Sequence, residues 1–272
     1  MFGFLIKKSF CDSWDNLFLE LIVNSIFVLT TAACGLLGSW LITSGRIEAL
    51  PAWLQYVIFG AALTLFFIFY SVIAMSFGEV AAEIADFNGT HILDFFKNIP
   101  HVLKDACLFG LLNAGITIVS FIGIPWYFTQ GTYFYFFLGG VFLWVYIFVI
   151  LAFQWFIPIR SLMKNSFKKC LKKCFILTLD NTIFTIGMAL YSLIMIICSV
   201  IFMGLIPSLA GIQMACTDAL RLRLYKYDYL ELHPELQTKR DRRKIPWEEL
   251  IYEDRETLGP RKLKSFIFPW KE

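Results

Sequence analysis

Ionisable side chains are scarce inside the apolar blocks that fill this sequence, and each is a candidate for chemistry because a charge at the centre of a bilayer costs about 3 kcal/mol or more. Glu20 and Asn24 stand four residues apart on one helix face, a carboxylate and an amide that could together accept a proton or a cation. Glu20 lies close to the edge of its block, so the favoured expectation is an interfacial carboxylate that snorkels to the headgroups. Asn113, Gln154 and Gln213 are uncharged polar groups in three further blocks. Hydrogen bonding between helices is the simpler expectation for them than a substrate site. Asp218 has Arg221 one turn later, a spacing that permits local pairing and makes it a weak candidate for proton relay.

The most ordered charge pattern is Glu79, Glu83 and Asp86, spaced i, i+4 and i+7 at the end of an apolar block. Lys168 and Lys172, also one turn apart, are expected at the same membrane surface. Two readings stay open: the acidic stripe pairs with these lysines and fixes the rim of a bundle, or the charges dock a soluble partner. No enzyme constellation accompanies these groups. The sequence has no GxSxG, HExxH or Walker-type loop, and His91, His101 and His233 are scattered. Cys11, Cys34, Cys107, Cys170, Cys174, Cys198 and Cys216 form no CxxC pair. The expectation is a protein without catalytic residues, cofactor or metal.

The elements that must position these groups are membrane helices. With 58% hydrophobic and 18% aromatic residues and a mean hydropathy of +0.67, the chain is too apolar for a soluble globule of its size. The fold class expected is all-α, a polytopic membrane helix bundle. A helix needs about 20 apolar residues to cross the hydrocarbon core, where each backbone amide must be satisfied within its own segment. Four spans are clear, at about 17–42, 53–75, 106–128 and 133–157. The next apolar stretch, from Thr182 to Ala219, is too long for one span, and a break between Gly204 and Pro207 divides it into spans at 182–204 and 206–219.

Residues 220–272 hold 13 Lys or Arg against 10 Asp or Glu, which leaves 11 against 11 before them, so the membrane domain is neutral and its charges sit in loops. Arg160, Lys164, Lys168, Lys169, Lys172 and Lys173 follow the fourth span, and the positive-inside rule puts that segment in the cytoplasm. An even count of six spans then places both termini there, in an inner (cytoplasmic) membrane. Lys7 and Lys8 precede an apolar run, yet Asp12, Asp15 and Glu20 intervene and argue against a secretory signal. Thr31-Ala32-Ala33-Cys34 loosely resembles a lipoprotein cleavage box, but the simpler reading is small residues packing the first span against a neighbour. Asn88-Gly89-Thr90 fits a glycosylation sequon on the side where it would not be modified.

Each hairpin is preceded by a basic amphipathic stretch, Phe4–Trp14, Ile92–Leu103 and Leu162–Cys174, with the spacing of interfacial helices that turn Lys toward headgroups. The tail from residue 228 to 272 mixes charge with aromatic anchors, among them Trp247, Phe268 and Trp270. Lys239, Arg240, Arg242, Arg243 and Lys244 favour anionic lipid at about 1 kcal/mol each. The anchors either insert in the interface or fill a partner's groove. The acidic residues Glu248, Glu249, Glu253 and Asp254 that follow argue against nucleic acid.

Asp94-Phe95-Phe96-Lys97, followed by Lys104 and Leu108, resembles a motif of the YesL-like family of bacterial integral membrane proteins. Leu205-Ile206-Pro207-Ser208-Leu209-Ala210-Gly211-Ile212, leading to Leu220-Arg221-Leu222-Arg223 and Leu224-Tyr225-Lys226-Tyr227, is a second point of likeness. The resemblance covers about residues 12–227; the tail from Tyr229 departs from the shorter members. It implies a multi-span fold, often encoded beside sugar importers of the ATP-binding cassette (ABC) type, and brings no catalytic residue. Two functions are carried forward. One is a non-enzymatic accessory or regulatory component of a membrane complex such as an ABC-type solute importer, with the lipid bilayer and other membrane subunits as partners. The other is a small neutral-solute transporter or channel, for which broken helices should build a polar cavity at the midplane.

Overall fold

The computed structural model describes residues 1–45, 47–234 and 245–259, and every regular element among them is a helix. Five helical segments are long and apolar enough to cross a membrane: Leu17–Thr43 (α2), Ala52–Ala85 (α3), Ile92–Thr129 (α4), Tyr133–Met163 and Thr182–Ile201 (α8). The fourth comprises Tyr133–Phe153 (α5) and Phe156–Met163 (α6). The chain is an all-α, multi-pass membrane protein in contact with lipid.

α3 and α4 pack along their lengths as an antiparallel pair. Gly110 makes this possible, because a Cβ there would come within 2.6 Å of the Ile68 Cα and 2.9 Å of the Phe67 carbonyl. Only glycine lets two helix backbones approach so closely. The Ser76 hydroxyl donates to the Phe95 carbonyl and ties the pair at one end. The expected interfacial stretch Ile92–Leu103 is not a separate helix. It runs into the third span as one 38-residue α4, with Pro100 inside it. Pro100 stands in the ninth position of the helix and Pro125 near its other end, each removing one backbone donor, and the helix continues through both.

At the end where α5 finishes, called the near end, the chain adds a layer of shorter helices. Phe2–Asp15 (α1) leads into α2 at Asn16, α6 stops at Lys164 in the left-handed region, and Phe167–Asp180 (α7) turns Cys170 and Cys174 inward and Lys168, Lys169 and Lys172 outward. α1 carries an exposed apolar stripe, Phe2, Ile6, Phe10 and Trp14, and buries Phe4, Leu5, Lys8, Cys11 and Asp12. The stripe faces lipid and the charges face protein. This corrects the expectation that both lysines of this helix point to headgroups: Lys8 is fully buried.

The expected sixth span lies in Ser208–Leu232 (α9), which continues well past Ala219 and is not among the membrane-crossing candidates. α9 is instead the buried axis of the near end. Nearly every residue from Ser208 to Leu222 is buried, with α1, α2, α3, α6 and α8 packed around it. α8 and α9 form a hairpin whose tip, residues 202–207, is non-helical and lies beside Val28 of α2. Beyond that level α2 runs on from Val28 to Thr43, and α3 runs back from Tyr70 to Ala52, roughly 23 and 27 Å at 1.5 Å per residue. Exposed Trp40, Trp53, Tyr56, Trp126 and Tyr133 cluster at the far helix ends, as aromatic residues do at a membrane interface. The hairpin therefore enters from the near end and turns back before the far one. Trp247–Leu250 (α10) and Tyr252–Leu258 (α11) fold against the near end, burying Ile251 and Leu258.

Candidate functional site

The densest polar constellation surrounds the upper half of α9. Lys8 and Asp12 share one face of α1, four residues apart, and that face meets Asp218 on α9. Lys8 Nζ donates to Asp12 Oδ2 at 2.6 Å and lies 3.5 Å from Asp218 Oδ1, with the Phe87 ring 4.0 Å away. All three charged side chains are almost wholly shielded. Two carboxylates thus share one ammonium in a site without water contact. Burial pushes the Asp12 carboxyl up, and the Lys8 charge pulls it only part of the way back. Such a cluster holds together while the lysine is present, since a buried ion left unpaired is strongly destabilising.

One turn further along the chain, α2 brings Glu20 and Asn24 to the start of α9, and both are fully buried. The expectation of a snorkelling interfacial Glu20 is therefore corrected: α8 and α9 close over it, and its Oε2 lies 3.5 Å from where a Gly211 side chain would begin. Neither Glu20 oxygen has a hydrogen-bond partner. Asn24 is saturated by contrast. Its amide nitrogen donates to the Leu205 and Pro207 carbonyls at 2.8 and 3.0 Å, and its oxygen accepts the Ala210 N–H at 2.9 Å. One side chain thus satisfies the non-helical backbone at the hairpin tip, which could otherwise not be buried. The segment Leu205–Ile212 is this tip and the first turn of α9.

The other sequence candidates are distributed through the bundle. Gln154 donates to the Leu151 and Thr185 carbonyls at 2.9 and 3.1 Å, joining the end of α5 to α8, and the Trp155 indole beside it donates to Thr185 Oγ1. Asn113 bonds only within its own helix, to the Phe109 carbonyl at 2.8 Å. Gln213 is buried against Gly78 and Ser161, its amide nitrogen unpaired. These side chains do not converge with Glu20 into one cavity.

Glu79 and Asp86 of the acidic stripe are paired, but with other cations than the two lysines of the pairing reading. Arg160 on α6 binds Glu79 and, at 3.0 Å, Asp105 on α4. Arg221 reaches Asp86 at 3.4 Å and Asp254 of the tail at 3.3 Å. Among the described residues no ion pair joins Lys168 or Lys172 to Glu79, Glu83 or Asp86. α7 turns those lysines outward, and arginine, with its planar fork, takes the two-carboxylate position instead. Asp218 likewise pairs with Lys8 and not with Arg221. Tyr225 donates to Asp254, and Lys7 donates to the Gly259 carbonyl at 3.2 Å, so the tail segment 245–259 is latched to the bundle by its own chain. Trp247 is half-buried near Arg223, 5.8 Å from ring to guanidinium. Phe268 and Trp270 lie outside the described residues.

Lys8, Asp12, Arg160 and Asp254 carry much of this network and were not singled out from sequence. The i, i+4 spacing of Lys8 and Asp12 was a usable signal, obscured because both sit in a stretch that reads as interfacial. Among the described residues no three His, Cys, Asp or Glu side chains gather as a metal site. No family model, curated protein or solved structure matches the chain.

Proposed function

We propose that this chain is a non-enzymatic integral membrane protein that acts by association, as an accessory or regulatory component of a membrane complex such as an ABC-type solute importer. The observation that carries the reading is the far half of α2. Thr31–Leu37 are exposed without interruption, which on a helix covers every face for nearly two turns. Thr31, Gly35 and Ser39 lie four residues apart along it, the small-residue spacing through which membrane helices approach one another. The neighbouring small residues Ala32, Ala33 and Cys34, expected to pack this span against a neighbour, are exposed as well, which leaves the face open to another chain. The sealed polar core supports the same reading, since Lys8, Asp12, Asp218 and Asn24 are spent on holding helices together. The YesL-like resemblance and its importer neighbourhood agree, and the positive charge of α7 favours a cytoplasmic near end.

A photo-crosslinking side chain at Leu36, in the full chain in its native membrane, tests this. The expected product is a discrete adduct with another membrane protein. Adducts with lipid alone would overturn the reading. The transporter alternative is favoured by one observation, the broken hairpin that closes over the buried Glu20 of α2, an arrangement also found at transport sites. Solute uptake by reconstituted vesicles that is lost in Glu20→Gln would move the assignment there.

A further inference from the structure

A cavity of about 660 Å³ opens at the near end between the start of α1, the α7–α8 junction and α9. One side of it is apolar, with Phe2, Ile183 and Phe184 and with Gly187 leaving space behind them, and the other carries Asp180, Asn181 and Arg223. Phe2 and Ile183 are exposed, Ile183 to 89%, and continue the outward stripes of α1 and α8 that face lipid. Facing this cavity is Arg223. Its guanidinium stacks on the Phe184 ring at 3.7 Å, its Nε is buried without a hydrogen-bond partner, and no ion pair engages it among the described residues. Burial lowers its pKa only to about 10, so it is charged at neutral pH.

The other charges at the site are already matched. Asp180 on the cavity wall accepts from Tyr227 at 2.6 Å and pairs with Lys226 at 3.3 Å. Burial would raise the Asp180 carboxyl, but these donors more than offset it and hold it below its ordinary range. Asp180 also attracts Arg223 across the cavity, so one carboxylate faces two cations and the site keeps one net positive charge, centred on Arg223. A cation on an aromatic platform in a membrane-facing cavity with one apolar side suits an anion attached to a hydrocarbon body.

We infer that this cavity is a binding site for a phosphate ester of net negative charge, with Arg223 as the anion-binding group and Phe2, Ile183 and Phe184 holding the organic part. The ester could be the headgroup of an anionic phospholipid or a soluble organic phosphate, and the two are separable. The full chain, purified in neutral detergent, is heated with short-chain phosphatidylglycerol, with phosphatidylcholine, or with glycerol phosphate. Phosphatidylglycerol is expected to raise Tm by roughly 5 °C at saturation, with no rise from phosphatidylcholine. A rise with glycerol phosphate of the same size assigns the soluble source. Arg223→Gln should abolish the rise, and Gly187→Leu, which fills the cavity without touching the arginine, should abolish it too. No rise from phosphatidylglycerol or glycerol phosphate, a rise of the same size from phosphatidylcholine, or an equal rise in both variants, would overturn the inference. Gly187→Leu decides the matter if Arg223→Gln does not fold.

Discussion

The two ends of the bundle are built from the same apolar helices yet solve the membrane problem differently. At the far end, α2 stands apart, and every side chain from Thr31 to Leu37 is exposed among the described residues. At the near end, α1, α6, α7 and the α8–α9 hairpin crowd the same helices, and the buried polar groups collect there: Lys8, Asp12, Glu20, Asn24 and Asp218. Lipid is as apolar as leucine, so apolar content alone does not drive helices together in a membrane; close packing and hydrogen bonding do. The near end has both, whereas α2 from Thr31 to Leu37 is left exposed by the described residues.

That contrast can be broken at the near end by removing one group. Lys8→Met strands two buried carboxylates and should cost about 3–5 kcal/mol, read as a fall in Tm of the purified protein; a loss under 1 kcal/mol by the same reading would show the triad to be solvated. Gly110→Val drives a side chain into the α3 backbone and should cost about 1–3 kcal/mol, with the α3–α4 separation widened in a spin-label distance measurement. Asn24→Ala leaves two carbonyls and an N–H at the hairpin tip without their partner, at a cost of about 1–3 kcal/mol. Faster hydrogen exchange confined to residues 202–211 is the accompanying signature. At the far end, Leu36→Ala should change the stability of the isolated protein by no more than about 0.5 kcal/mol. A larger loss in calorimetry would mean that α2 is packed along its whole length.

Much of this architecture was legible in the sequence, because span length and hydropathy respond to a single solvent property. The helices and the break near Gly204 follow from runs and periods. What escaped was the identity of partners. Lys8 and Lys7 are adjacent and chemically alike, but the helix turns one into the core and the other to the tail. Glu79 needs a cation under one of the two readings of its stripe, yet Arg160 and Lys168 are equal candidates in the sequence until the turn at Lys164 separates α6 from α7. Glu20 read as interfacial because its own segment begins nearby; the hairpin that covers it comes from residues almost 200 positions later. α9 escaped for a related reason. Its apolar content is modest because it is wrapped by protein rather than lipid, so hydropathy shortened it to a marginal span.

The central claim is that the α8–α9 hairpin turns back inside the bundle, beside Asn24 and Val28, without reaching the far surface. Single cysteines placed at Met203 and at Ser44 in a cysteine-free chain, reacted from the far side with a membrane-impermeant thiol reagent, test it directly. The account predicts labelling at Ser44→Cys and none at Met203→Cys. Equal labelling at both positions would contradict it and make α8 a complete crossing.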